Sequence, residues 1–309
     1  MLRGTFYAER VPDTSCWAST GTPSHLHTCE VANFCSTVPR PCLNPCLRLR
    51  SSLMALHLER LSVSLPQLPN AVDQVSFSVA EGSAVGLVGE SGAGKSLTAL
   101  ALVGLAPGKT TGRLMWRGRD LLTGTEADWA RIRGREIALM VQSAQQALLP
   151  FQRVLDQVTA VALRHRPLSR KDAQMEALRL LEEVQFPDPS RRGYDYPHQL
   201  SGGMAQRAYM AMVLAARPAL LIADEPTSAL DAPVAAEIVA VLRRLRKQHR
   251  LSMLLISHDL AILASLCTDL VVLSAGRVVE QGPTQQLLSN PQDHYTQRIV
   301  GAARSLQFS

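Results

Sequence analysis

The chain has 309 residues, 46% of them apolar, and a formal net charge of +6, enough for one large α/β domain or two small ones. The basic excess suits work beside an anionic nucleotide or membrane face. No basic stripe is interleaved with aromatics, which make up only 5%, and this argues against a nucleic-acid partner. A bilayer span needs about 20 consecutive apolar residues, and the most apolar segment, 210–223, is broken by Arg217-Pro218. The N-terminus has no secretory pattern, so the chain is expected in the cytosol.

Residues 1–53 are rich in Pro, Cys, Ser and Thr and show no sustained period. They are expected to be a disordered extension or sequence upstream of a mis-assigned start; a cysteine-rich targeting or regulatory segment is the rival. Cys16, Cys29, Cys35, Cys42 and Cys46 lie here and only Cys267 follows. Cys42 and Cys46 have a spacing that zinc can use, with His25 and His27 nearby, but no Cys-x-x-Cys pair completes a set.

From Met54 the texture changes. Residues 55–65 alternate like a strand, and 74–80 form the next. Ser83–Val88 is a short apolar run of buried-strand type, and Leu97–Leu105 a helix former. Strands follow at 113–117 and 137–141. Residues 143–205 read as helical with polar faces: Ser169 can cap a helix over 173–184, with Leu178, Leu181 and Val184 on one face. A helix over 204–216 precedes the fully apolar strand 219–223. Pro233 opens a helix over 234–247. Strands at 253–256 and 270–273 and a hairpin return at 278–281, past the Gly276 turn, complete the set. This alternation predicts an α/β fold with a mainly parallel core sheet, an antiparallel β subdomain at its start and an inserted helical subdomain.

Between strand and helix stands Gly89-Glu90-Ser91-Gly92-Ala93-Gly94-Lys95-Ser96, the phosphate-loop pattern. Its glycines let backbone N–H groups converge on one site, at a helix start whose dipole favours anions. Lys95 supplies a charge for the outer phosphates and Ser96 a hydroxyl for Mg²⁺. Strand 219–223 delivers Asp224-Glu225 at its C-terminal end, where open α/β sheets bind ligands. Asp224 is placed to hold Mg²⁺ and Glu225 to act as general base toward water. Leu200-Ser201-Gly202-Gly203-Met204 offers a second anion-binding helix start. One triphosphate does not need two such devices in one chain; two chains facing each other do.

This combination resembles the ATP-binding-cassette (ABC) ATPases, P-loop nucleotide triphosphatases, over about residues 54–300, with 143–205 as the helical insert and 301–309 as a short tail. The resemblance implies ATP and Mg²⁺ as cofactors. It extends the nucleotide contacts to Leu97, and to Ser201, Gly202, Gly203 and Asp231 across a dimer of cassettes. Gln142 matches the glutamine that touches Mg²⁺ and senses a transmembrane partner, Ser228–Asp231 the loop at the dimer interface, and His258 the histidine that contacts the γ-phosphate. Two departures stand out: Leu65 occupies the place of the aromatic that stacks on adenine, and Met204 that of a glutamine.

Tyr196–Met204, Ala223–Asp231 and His294-Tyr295-Thr296 resemble the dipeptide, oligopeptide and nickel importer ATPases. Many of those carry a C-terminal cysteine cluster, which is missing here and leans toward nickel-type or metallophore-type members. The implied partners are two transmembrane permeases, a second ATPase subunit, identical or different, and indirectly a substrate-binding protein. The implied location is the cytoplasmic face of the cell membrane. The alternative is a soluble ABC ATPase of the DNA-repair or translation type.

Overall fold

The computed structural model describes residues 54–307. The expectations for residues 1–53, including Cys42, Cys46, His25 and His27, lie outside the described residues. In chain order the elements are β1 (Met54–Ser64), β2 (Val72–Ala80), β3 (Ala84–Val88), α1 (Lys95–Leu102), β4 (Lys109–Trp116), β5 (Arg119–Asp120), α2 (Glu126–Ile132), β6 (Ile137–Met140) and α3 (Ala144–Ala147). Then come α4 (Val154–His165), α5 (Arg170–Glu183), α6 (Pro189–Arg192), α7 (Gly202–Leu214), β7 (Leu220–Asp224), α8 (Ala232–His249) and β8 (Ser252–Ile256). The chain ends with α9 (Leu260–Leu266), β9 (Asp269–Ser274), β10 (Arg277–Pro283), α10 (Thr284–Ser289) and α11 (His294–Gln307).

Two sheets organise these elements. The first is antiparallel, in the order β2-β1-β4-β5. The second has the order β10-β9-β3-β8-β7-β6 and is parallel except for β10. Residues β3, β7 and β8 are buried throughout, as parallel strands covered on both faces must be. Side chains alternate between two cores. Leu220, Ile222, Leu254 and Ile256 pack with Leu56, Leu58 and Leu61 of the first sheet. Leu221, Ala223, Met253 and Leu255 pack toward the helices, with Ala208 and Leu242.

Strand β1 does not hold one phase. Pairing shifts between Leu58 and Leu61, where Arg60 has φ 49° and donates its N–H to Ser76 Oγ at 2.8 Å. The extra residue lets both Leu58 and Leu61 face inward. Gly112 lies opposite, where a Cβ would stand 2.3 Å from the Arg60 carbonyl oxygen.

The helical insert is held by α4, α5 and α7. Ser169 Oγ accepts from Asp172 N–H at the start of α5. The buried face of α5 is Ala173, Ala177, Leu180 and Leu181, followed by Val184, and Leu178 is only half-buried. Small alanines one turn apart allow close helix approach, a pattern that apolar spacing underweights.

Other boundaries move as well. Helix α1 starts at Lys95 rather than 97, so Lys95 and Ser96 lie in its first turn. Gly202 and Gly203 are the first residues of α7 rather than its lead-in. Helices α2, α9, α10 and α11 add to the expected set, and residues 301–307 continue α11 instead of forming a tail. Among the described residues no helix is long and apolar enough to cross a membrane.

Candidate active site

The loop 89–96 joins β3 to α1 beyond the C-terminal ends of the parallel strands. Gly94 caps α1 at φ 99°. Gly92, at φ 81°, has nothing within 4 Å of where a Cβ would be, so the loop is open there. At Gly89 a Cβ would lie 2.2 Å from the Leu273 carbonyl oxygen, so only glycine lets the loop pass β9. Lys95 is buried, and its Nζ donates to the carbonyls of Gly89 at 2.8 Å and Glu90 at 2.9 Å. Burial lowers its pKa, while the nearby Glu225 and Asp224 carboxylates pull the other way.

Asp224 ends β7 and is 7% exposed. Burial raises its pKa; a hydrogen bond from Ser96 opposes this, Glu225 adds to it, and Lys95 opposes it. Its Oδ1 is buried without a hydrogen-bond partner. An orphaned carboxylate oxygen is costly, and together with the neighbouring Ser96 hydroxyl it makes an oxygen donor set that fits Mg²⁺ held by one carboxylate and substrate phosphates.

Glu225 has φ 50°, a conformation that costs a non-glycine residue about 1–3 kcal/mol. Its N–H is held by the Ile256 carbonyl at 2.9 Å. Both oxygens of its side chain accept from His258 Nδ1, at 2.9 and 2.8 Å. With Nδ1–H donated to the carboxylate, Nε2 is the free nitrogen of a side chain 68% exposed. Ser228 Oγ donates to the Glu225 carbonyl at 3.2 Å and faces Gln142 Nε2 at 3.5 Å, the outer limit of a hydrogen bond. Lys95, Ser96, Asp224, Glu225, His258 and Gln142 thus lie at one end of the sheet.

The second helix start stands apart. Ser201 Oγ accepts from Met204 N–H at 3.4 Å, and Ser201 and Gly202 are exposed. A Cβ on Gly203 would lie 2.6 Å from Val234 Cγ1, so this glycine also serves the packing of α7 on α8. Asp231 is exposed at the N-cap of α8 and makes no capping bond with its side chain. Among the described residues no hydrogen bond joins these four to the loop 89–96.

Leu65 follows β1 in a turn where it and Leu68 exchange backbone hydrogen bonds of 3.1 and 3.2 Å. Its side chain packs against the first core. The same segment reaches the loop at Ala71, whose carbonyl oxygen would stand 3.0 Å from a Cβ on Gly94. Two residues not anticipated at the site come from α11. Glu90 N–H donates to Tyr295 Oη at 2.7 Å, and Arg298 pairs with the Glu90 carboxylate at 2.9 Å. The only sequence signal was the His294-Tyr295-Thr296 wording, which carried no assigned role.

A parallel sheet with a phosphate loop, an acidic strand end and a helical insert is the build of an ATP-binding cassette. The family model described as ABC transporter matches residues 72–228. The chain is 40% identical over 253 residues to the dipeptide transport ATP-binding protein DppD of Escherichia coli (strain K12), covering 80% of this chain and 77% of that protein. It is 38% identical over 238 residues to the oligopeptide transport ATP-binding protein OppD of the same organism, covering 76% and 71%. The fold matches a dimeric ATP-binding cassette in a post-hydrolysis state bound to ADP and Pi, with a TM-score of 0.67 and 24% identity over 74% of this chain and 98% of that one. The chain belongs to the ABC transporter family and is an ATP-binding, ATP-hydrolysing transporter subunit.

Proposed function

We propose that this chain energises an importer of peptides from the cytoplasmic face of the cell membrane, paired with a second ATPase subunit and two permeases, and supplied indirectly by a substrate-binding protein. The relatives named above are transport proteins, which favours this reading over a soluble repair or translation factor. Their printed cargoes favour peptides over nickel.

In this reading Gly89 to Leu97 cradle the phosphates of ATP, and Lys95 places its ammonium on the outer ones. Ser96, Asp224 and Gln142 would hold Mg²⁺, which when bound neutralises charge building on the β- and γ-phosphates. Glu225 takes the proton of the attacking water. His258 orients Glu225 through Nδ1 and offers Nε2 to the γ-phosphate. Ser201, Gly202, Gly203 and Asp231 serve the nucleotide of the facing cassette, in keeping with their distance in the hydrogen-bond network from their own loop. ATP drives closure by binding the closed pair better than the open one.

The observation that carries the site is the buried, unpartnered Asp224 Oδ1 next to Ser96 and Lys95. The test is Glu225→Gln in the full chain. ATP affinity is expected to stay within about twofold while turnover falls about 10²–10⁴-fold, the usual reach of a general base. Turnover near wild type would remove Glu225 from that role.

A further inference from the structure

The Gly89–Glu90 peptide unit is gripped at both ends. Its carbonyl oxygen accepts from Lys95 Nζ at 2.8 Å, and its N–H donates to Tyr295 Oη at 2.7 Å. Lys95 lies six residues along the same loop, whereas Tyr295 comes from 205 positions further on, near the far end of the described chain. We propose that Tyr295 is a positioning residue for nucleotide binding, which fixes the orientation of this one peptide and through it the place of the Lys95 ammonium. The inference rests on the reading of the loop as the ATP site.

The motion that Tyr295 opposes is a peptide flip. Rotating the unit between Gly89 and Glu90 would carry the Gly89 carbonyl away from Lys95, and it is the glycine side of the unit that offers little steric resistance. A hydrogen bond on the N–H is the direct way to oppose that rotation. Tyrosine suits the task because its ring is rigid and its hydroxyl accepts without adding charge beside the phosphates. The ring is itself well seated. Asp293 Oδ1 caps the helix start, accepting from Tyr295 N–H at 2.8 Å and Thr296 N–H at 3.3 Å. The Glu280 carboxylate of β10 takes the N–H groups of Gln292 and Asp293, each at 3.0 Å. Thr296 and Val300 are buried beneath, and Arg298 lies over the ring at 5.2 Å.

The Arg298–Glu90 pair is a weaker device. Its side chains are 67% and 61% exposed, and exposed ion pairs contribute little. The role is therefore assigned to the Tyr295 hydroxyl and not to the charge pair.

The test compares the full chain with Tyr295→Phe, which deletes only the hydroxyl, and with Val300→Ala, which loosens the packing of α11 without touching the loop. Affinity for Mg²⁺ and the non-hydrolysable analogue AMP-PNP is read by calorimetric titration, alongside steady-state hydrolysis and the melting midpoint of the unliganded protein. Tyr295→Phe is expected to weaken AMP-PNP about 5- to 10-fold, the effect of one such hydrogen bond. The KM for ATP should rise in parallel, with kcat at saturation within about twofold and melting nearly unchanged. Val300→Ala should melt lower yet bind as wild type. Wild-type affinity in Tyr295→Phe overturns the inference, and so does an equal loss of affinity in Val300→Ala, which would make the effect one of helix packing. A wild-type chain that does not bind AMP-PNP would instead sink the ATP-site reading itself.

Discussion

Leu65 shows what one side chain can change. It stands in the turn that borders the phosphate loop through Ala71, and its aliphatic side chain turns to the core instead of presenting a flat ring. A base stacked on an aromatic gains about 1–3 kcal/mol that leucine does not supply. Leu65→Tyr is therefore expected to tighten ATP by fivefold or more in a direct titration; unchanged or weaker affinity would contradict the placement of adenine here. The groups around the phosphates were readable in two ways, the phosphate loop by its own spacing and His258 only through the family resemblance. Gly89 to Ser96 is one unbroken pattern, and Asp224-Glu225 and His258 each follow an apolar strand. Tyr295 was not readable in that way. Its contact is to a backbone N–H 205 positions earlier, and a bond to main chain leaves no mark on the partner's side chain.

At the scale of elements, the helical insert is tied by one carboxylate. Glu176 of α5 bonds Arg179 of its own helix at 2.9 Å, Arg166 at the end of α4 at 2.8 Å, and Arg217 beyond α7 at 3.0 Å. Hydrogen bonding from Arg179 is the largest cause that lowers its pKa to about 2; burial opposes this, and Arg166 and Arg217 reinforce it. A carboxyl depressed on folding adds stability that is fully present above its unfolded pKa and is lost as pH falls toward its folded one. The wild type should thus exceed Glu176→Gln in stability at pH 7, and the gap should narrow by about 1 kcal/mol on going to pH 3.5. Denaturant midpoints at the two pH values check this, and a gap independent of pH would contradict it. The buried strands were legible as uninterrupted apolar runs, as at Leu220–Ala223. Helix α2 was not, since only Trp129 and Ile132 of its seven residues are buried and the signal lay in the Thr125 capping box. The inward face of α5 was legible at Leu181 and Val184, which are buried, but not at Ala173 and Ala177, whose small side chains carry part of the packing.

The whole molecule presents surfaces that a lone chain does not use. Ser201 and Gly202 are exposed with no bond to the loop 89–96, as expected of groups that meet a second cassette. Around the segment after Gln142, Phe151 is 72% exposed, with Leu149 and Tyr194 exposed nearby in the chain's helical insert. Large apolar side chains in water at such a site suit a partner, and the reading assigns them to the permeases. Neither surface could be sized from sequence, because exposure depends on how α4 to α7 pack. Phe151→Asp is expected to leave ATP affinity intact and to release the chain from its membrane partners.

The full chain and Phe151→Asp would each be purified with a tag from gently solubilised membranes, and the accompanying proteins identified by mass spectrometry. The account predicts two permeases and a second ATPase subunit with the wild type, and loss of the permeases with Phe151→Asp. A wild-type chain recovered from membranes and cytosol alike without any membrane partner would contradict it.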